Sequence, residues 1–244
     1  MGTERDTDIR LFRTAEHECG YYDDRMARDL VIDPQDPRLP LIYNQALANG
    51  FRRSGSIVYR PDCLECQACT ALRLPIASFQ LSRSQRRCLQ RNETVSAQWA
   101  PPTRTPEQFD LYRRYLQSRH RDGGMDAHEE PDFDEFLTGT WMDTRFLEMR
   151  EDDKLIGVAV TDVVDDGLSA VYTFFETEMA ARSLGTFAIL RQIEWAREWS
   201  LPYLYLGYWI HDHPKMDYKR RYAGAQVLVG SQWLPISMLN SESR

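Results

Sequence analysis

Apolar and polar positions recur along this chain with two different periods, and the period changes with position. In the first hundred residues the periodic runs are short. Ile9–Phe12 reads as a strand, and Gly20–Tyr22 as an extended piece after His17-Glu18-Cys19. Asp33-Pro34-Gln35-Asp36-Pro37 is a loop. Leu39–Ala48 repeats Leu41, Ile42, Ala46 and Leu47 at helical spacing, with Asn49-Gly50 as its stop. Ser56–Tyr59 and Ala71–Leu74 are strands either side of the loop Asp62–Thr70, and Pro75 confines the second to a strand end or a sheet edge. Ser84–Gln90 is a short basic helix capped by Ser82 or Ser84.

Ala100–Thr105, APPTRT, reads as a linker, so the chain divides into 1–100 and 101–244. Thr105-Pro106-Glu107-Gln108 has capping-box form and opens a helix to about Ser118, which Gly123-Gly124 breaks. Phe133–Trp141 is a further short helix. From Thr144 the period becomes two. Strands are expected at Arg145–Arg150, Leu155–Val164 and Leu168–Glu176, joined by turns rich in Asp and Gly. Helical spacing returns at Ser183–Trp199, with Phe187, Leu190, Ile193 and Ala196 on one face and Arg191, Glu194, Arg197 and Glu198 on the other. Tyr203–Ile210 is the next strand, and Gln226–Val229 with Trp233–Ile236 closes a hairpin. The expected fold class is α+β. Three antiparallel strands, a helix entered through the small-residue turn Arg182-Ser183-Leu184-Gly185-Thr186, then a strand is the order of a GNAT-like acyltransferase fold: an antiparallel or mixed sheet flanked by helices. A smaller α/β region containing the cysteines precedes it. The helix N-terminus offers free N–H groups and partial positive charge to an anion.

Composition changes this picture in three places. Hydrophobic residues make up 42% and charged residues 27%, ordinary for a globular chain. No apolar run approaches the roughly 20 residues of a membrane span, and MGTERDTDIRLF lacks the apolar core of a signal peptide, so a cytoplasmic protein without membrane contact is expected. The net charge of −7 opposes non-specific binding of nucleic acid, but the charge is uneven. Phe51–Arg91 carries Arg52, Arg53, Arg60, Arg73, Arg83, Arg86, Arg87 and Arg91 against Asp62 and Glu65, whereas Asp122–Glu135 carries only acids. The five cysteines are odd in number, and in a reducing compartment disulfides are not expected. Cys63-x-x-Cys66-x-x-Cys69 has metal-ligand spacing, and Cys19 or His17 would complete a structural zinc or iron–sulfur site; the alternative is a tight loop of reduced, buried thiols.

Several stretches resemble the aminoacyl-tRNA–protein transferases. These are Tyr59–Arg73 (YRPDCLECQACTALR), Ser82–Arg87 (SRSQRR), Tyr172–Phe174, Arg182–Thr186, Tyr205–Ile210 (YLGYWI) and His213–Lys219 (HPKMDYK). Together the matches run from about Cys19 to Trp233, and the short form is similar to the bacterial leucyl branch. The resemblance implies transfer of leucine from leucyl-tRNA to proteins whose N-terminal residue is Asp or Glu, creating a signal for the degradation machinery, with no cofactor required. An arginyl donor or an acetyl-CoA-dependent GNAT activity are the competing readings, with a non-enzymatic module for acidic N-termini or RNA a third. The turn Arg182–Thr186 lacks the spaced glycines that would cradle a pyrophosphate.

That implied chemistry assigns roles. A neutral α-amine must attack an aminoacyl ester, so a base, His213 or Asp217 with Tyr218 as relay, takes a proton. The ester and the CCA end lie on Arg182, Ser183, Leu184, Gly185 and Thr186, with Tyr172, Phe174, Tyr208 and Trp209 available for base stacking. Arg73, Lys215 and Lys219 are the candidates to meet the acidic side chain of the acceptor. Arg83, Arg86, Arg87 and Arg91 form a basic face for tRNA phosphates.

Overall fold

The structure, a computed structural model, describes residues 8–119 and 127–239; the break expected at Gly123-Gly124 lies outside the described residues. In chain order the elements begin with β1 (Leu11–Arg13), β2 (His17–Glu18), β3 (Met26–Ala27), β4 (Asp29–Ile32), α1 (Leu39–Ala48), β5 (Arg52–Ser54), β6 (Ile57–Pro61) and β7 (Thr70–Pro75). Then come α2 (Arg83–Arg91), β8 (Ser96–Ala100), α3 (Pro106–Arg119) and α4 (Glu130–Leu137). The second half holds β9 (Asp143–Glu151), β10 (Lys154–Val164), β11 (Gly167–Phe175), α5 (Leu184–Glu198), β12 (Tyr203–Trp209), β13 (Gln226–Val229), β14 (Gln232–Pro235) and the short α6 (Ile236–Leu239).

Local chemistry sets the helix starts. Ser82 accepts from the Gln85 backbone while Gln85 bonds back to the Ser82 N–H, and Thr105 and Gln108 do the same for α3. Helix α4 begins earlier than its apolar pattern suggests, because Glu129 and Asp132 cap it reciprocally, and it stops at Leu137 before the left-handed Gly139. Trp141, expected inside that helix, instead packs edge-on against Tyr43.

A mixed eight-stranded sheet runs β14-β13-β7-β12-β11-β10-β9-β8, with β11 and β12 as its parallel pair. Strands β7 and β8 come from before residue 100, so the expected division at that residue cuts through this sheet. Pro75 sits at the end of β7, an inner strand, where no ladder donor is needed. Alternation along β9 and β10 sends Leu147, Met149 and Ile156 to one face, under Leu184, Phe187, Leu190 and Ile193 of α5. It sends Phe146, Val158 and Val160 to the other, under α3 and α4. A four-stranded sheet, β1-β4-β6-β5, packs with α1 around Tyr43, Val58 and Tyr205. The Arg53–Asp162 ion pair, at 2.7 Å and with both side chains 0% exposed, pins that layer to β10. Among the described residues no helix is long and apolar enough to cross a membrane.

Candidate active site in a parted pair of parallel strands

Strands β11 and β12 pair only over Gly167–Ser169 and Tyr203–Tyr205, although they run on to Phe175 and Trp209. Each carries an extra residue where the pairing ends. Against β10, the register of β11 skips Val171; against β7, that of β12 skips Leu206. A bulge bends and twists its strand, so two at one level open a wedge in the sheet. Gly207, at φ 78°, lies on the wedge, and a Cβ there would stand 2.1 Å from Arg52 Nη1. Glycine is therefore required, both for the left-handed backbone and for the approaching guanidinium. Arg52 reaches in from β5 and donates through Nη2 to the Ala170 carbonyl at 2.6 Å.

The polar cluster after β12 closes the other side. A single 3₁₀ turn, Asp217–Arg221, carries Lys219 inward, where Nζ donates to the Tyr208 carbonyl. Burial, reinforced by the positive charge of Arg52, pulls the Lys219 ammonium down to about 7. Both ring nitrogens of His213 are engaged: Nδ1 accepts the Lys215 backbone N–H at 3.2 Å, which leaves Nε2–H to donate to the Tyr21 carbonyl at 3.0 Å. His213 thus anchors the N-terminal arm and has no lone pair to spare as a base. The Asp217 carboxylate accepts from Trp209 Nε1 at 3.1 Å and the Asp212 N–H at 3.3 Å, and pairs with Arg220 at 2.9 Å. It fixes the turn, which explains its place in the motif better than proton transfer does. Tyr218 is partly exposed as a residue, but packing around its hydroxyl pushes the phenol up to about 12, so it keeps its proton and is a donor. The Lys215 side chain is exposed.

Other expected contacts fall in different surroundings. Phe174 is wholly buried among Tyr112 and Phe133, and Trp209 is a core residue, so neither face is open to a base. Tyr208 is also buried and its hydroxyl donates to the Gly50 carbonyl at 3.0 Å. Tyr172 is half-buried and meets Phe136 edge-on. At the head of α5, Leu184 is buried, Ser183 is left-handed at φ 56°, and Gly185 and Thr186 are half-buried. A Cβ at Gly185 would lie 3.3 Å from the Phe175 ring, which places the helix head against the end of β11. Arg182 is a strut, bonded to the Glu151 carboxylate and the Arg91 carbonyl. Arg73 points elsewhere: its guanidinium lies between the Tyr203 and Trp233 rings at 3.7 and 4.4 Å, and its Nε donates to Gln226. That cation–π sandwich at the closed end of β12 accounts for Arg73, and removes it from the acceptor site.

The basic track holds together in space. Gln85 and Cys88 bury one face of α2, and Arg83, Arg86, Arg87 and Arg91 are exposed on the other. Asn92, just past the helix, donates to the Arg182 carbonyl at 2.9 Å, so the track abuts the turn into α5. If the track serves as the resemblance to tRNA-dependent transferases implies, replacing Arg86 and Arg87 together by Ala is expected to weaken tRNA binding and to flatten the slope of log affinity against log salt by roughly 1–2, as read by filter binding across a salt series.

The four N-terminal cysteines also meet. Cys19, Cys63, Cys66 and Cys69 line one pocket of about 240 Å³ with Arg25 and Arg60. The Ala68 backbone N–H lowers the Cys66 thiol, helped by Arg25 Nη1 at 3.3 Å. Burial pushes Cys69 up to about 12, with the other three thiols adding to it. Among the described residues, no three His, Cys, Asp or Glu side chains are gathered closely enough to hold a metal ion. The donor set suits zinc or iron–sulfur chemistry; its spacing here does not close on either.

Arg52 and Arg53 were not signalled by any motif. Asp162 was the available sign: a lone carboxylate in the apolar run Lys154–Val164 demands a buried cation from elsewhere.

A parted sheet that gathers buried cations at its opening, with an exposed basic helix at its rim, suits an enzyme that brings an anionic acceptor to a nucleic-acid-borne donor. Family comparison agrees. The chain belongs to the arginine-tRNA-protein transferase family, whose N-terminal part matches residues 17–87 and whose C-terminal part matches residues 107–229. More particularly, it is 56% identical over 236 residues to a protein of Stenotrophomonas maltophilia named aspartate/glutamate leucyltransferase, covering 94% of each chain. It is 55% identical to a Xylella fastidiosa protein of the same name, covering 94% of this chain and 93% of that one. Among solved structures, L-PGS from Bacillus licheniformis aligns at a TM-score of 0.44 and 10% identity, over 74% of this chain and 54% of that one, too distant to carry an argument.

Proposed function

We propose that the protein transfers leucine from leucyl-tRNA to the α-amine of proteins beginning with Asp or Glu, which marks them for degradation, and that its large sheet is a GNAT-like acyltransferase sheet. The observation that carries this reading is the identity above one half, over nearly the whole length, with relatives named for that activity. In this reading the leucyl ester lies in the wedge between β11 and β12, over the N–H groups of Leu184, Gly185 and Thr186 at the head of α5. The exposed arginines of α2 hold the acceptor-stem phosphates, and Tyr172 stands at the rim for the single-stranded end.

The chemistry needs positioning and two proton transfers, one to a base and one to the leaving ribose oxygen. The acceptor's α-ammonium, with a pKa near 8, gives a proton to a base and its lone pair attacks the ester carbonyl. A C–N bond forms, the C–O bond to the ribose breaks, and the attacking nitrogen's second proton goes to the ribose oxygen. We assign the base role to Lys219 rather than to His213 or Asp217, because it is the buried amine whose neutral form is accessible at neutral pH. No step passes through the cysteines.

The test is direct. Labelled leucine should appear on an Asp-starting peptide with leucyl-tRNA and not with arginyl-tRNA run in parallel. Transfer from acetyl-CoA without tRNA would overturn the reading.

A further inference from the structure

Strand β5 carries two consecutive arginines with opposite situations. Arg53 is fully satisfied: Nε and Nη2 bond Asp162 at 2.7 and 2.8 Å, and Nη1 donates to the Gly55 carbonyl at 2.9 Å. Arg52, only 8% exposed, bonds through Nη2 alone, and its Nε and Nη1 are buried without a partner. No carboxylate of the described residues pairs with it, and the nearby ionisable group, Lys219, is a second cationic side chain whose ammonium Arg52 disfavours. Burying a cation without a counter-ion carries a desolvation cost that an arriving anion would offset. The backbone is shaped for this cation: Gly207 takes a left-handed conformation and leaves no Cβ in its way. The unclaimed N–H groups lie where β11 and β12 part, beside the proposed path of the ester.

We propose that Arg52 is the receptor for the acidic side chain: the carboxylate of an N-terminal Asp or Glu enters the wedge between β11 and β12 and pairs with the free N–H groups of its guanidinium. This rests on the reading of the chain as an N-terminal leucyltransferase. A fixed guanidinium in a dry wedge accepts a carboxylate by charge-assisted hydrogen bonds and rejects the matching amide, which would leave the charge unpaired. Carboxylate binding also fixes the α-amine at a set reach from Arg52, on the side of Lys219. Arg73 and Lys215 have no part in it: the first is held between two rings and the second is exposed.

The experiment uses the full chain, leucyl-tRNA and two peptides identical except for Asp or Asn at the first position. The variant is Arg52→Gln, which keeps an amide donor for the Ala170 carbonyl and removes the charge. The expected result is a KM for the Asp peptide raised about 100-fold and an Asp-to-Asn ratio of kcat/KM falling toward one, with affinity for leucyl-tRNA unchanged. Unchanged discrimination would overturn the proposal. Unchanged discrimination with weakened tRNA binding would do so by showing that Arg52 holds a phosphate. Should Arg52→Gln melt below the assay temperature, Arg52→Lys is read instead. A fivefold or larger fall in the ratio supports the carboxylate receptor, and wild-type discrimination overturns it. Wild-type protein that transfers leucine to neither peptide would instead overturn the parent reading, an outcome separable from all of these.

Discussion

Replacing Asp162 by Ala is expected to unfold the protein or to bring it close to unfolding. The Asp162 side chain is 0% exposed and accepts from Arg53 Nε and Nη2, from the Tyr43 hydroxyl at 3.0 Å and from the Thr144 hydroxyl at 2.7 Å. Alanine would leave the guanidinium charged and dry, and two hydroxyls without their acceptor. Breaking one partner of a buried pair costs about 3–5 kcal/mol, against a total stability of roughly 5–15 kcal/mol for a domain. The double variant Arg53→Met/Asp162→Leu is expected to lie nearer the wild type than Asp162→Ala, because it removes the stranded charge along with its partner. Urea unfolding of the three proteins checks both statements. A midpoint for Asp162→Ala within the equivalent of 1 kcal/mol of wild type would mean that water reaches Arg53 and that the pair is not the pin between the two sheets.

This pin also shows where reading the sequence succeeds and where it stops. The second half was legible because its periods are clean. Strand β9 alternates, β10 is one long apolar run, α5 repeats at helical spacing, and small residues mark the turn between β11 and α5. The first half was less so, because its strands are short and take their partners from far along the chain. Pro75 allows either a strand end or a sheet edge for β7, and the structure takes the first: β7 ends at Pro75 and lies between β12 and β13. For strand β8, Ser96–Ala100, the sequence predicts no element and its last residue reads as the start of a linker, because an exposed edge strand tolerates polar residues.

The site was legible as a neighbourhood and not as a set of roles. His213, Asp217 and Lys219 fall together as the motif implies, but which of them faces the chemistry depends on hydrogen bonds that spacing does not encode. The aromatic strand Tyr203–Trp209 illustrates the difficulty. It is apolar on both faces, so period-two reasoning cannot separate a stacking surface from a core, and Trp209 lies in the core. The wedge was invisible for a related reason. It arises from two bulges, at Val171 and Leu206, and a bulge is a relation between strands rather than a property of either. Gly207 was its one local trace, a glycine inside an otherwise aromatic strand. Arg52 lacked even that, since its significance is the absence of a partner that Arg53 has.

Lys219→Met is expected to reduce leucine transfer by 10²- to 10⁴-fold, the usual range for loss of a positioned base. The sign of the pH dependence follows from the direction of the shift. Lys219 is drawn from the ordinary lysine value down to about 7, so it becomes neutral, and able to take a proton, as pH rises through that point. Wild-type kcat/KM should climb through about pH 7 and again toward 8, where the acceptor's own α-amine titrates. In Lys219→Met only the second rise should remain. Stability supplies an independent reading. Between about 7 and the ordinary lysine value near 10.4 the unfolded chain holds a proton that the folded chain has released, so folding is favoured as pH rises through that window. Wild type should therefore gain about 1.4 kcal/mol per pH unit relative to Lys219→Met there, measured by urea unfolding at pH 7 and pH 9. A variant with the predicted stability difference but wild-type transfer rates would make Lys219 a buried amine of the fold and return the proton to water. Parallel stability curves would show that its charge is held in the folded protein and that Lys219 is not the base.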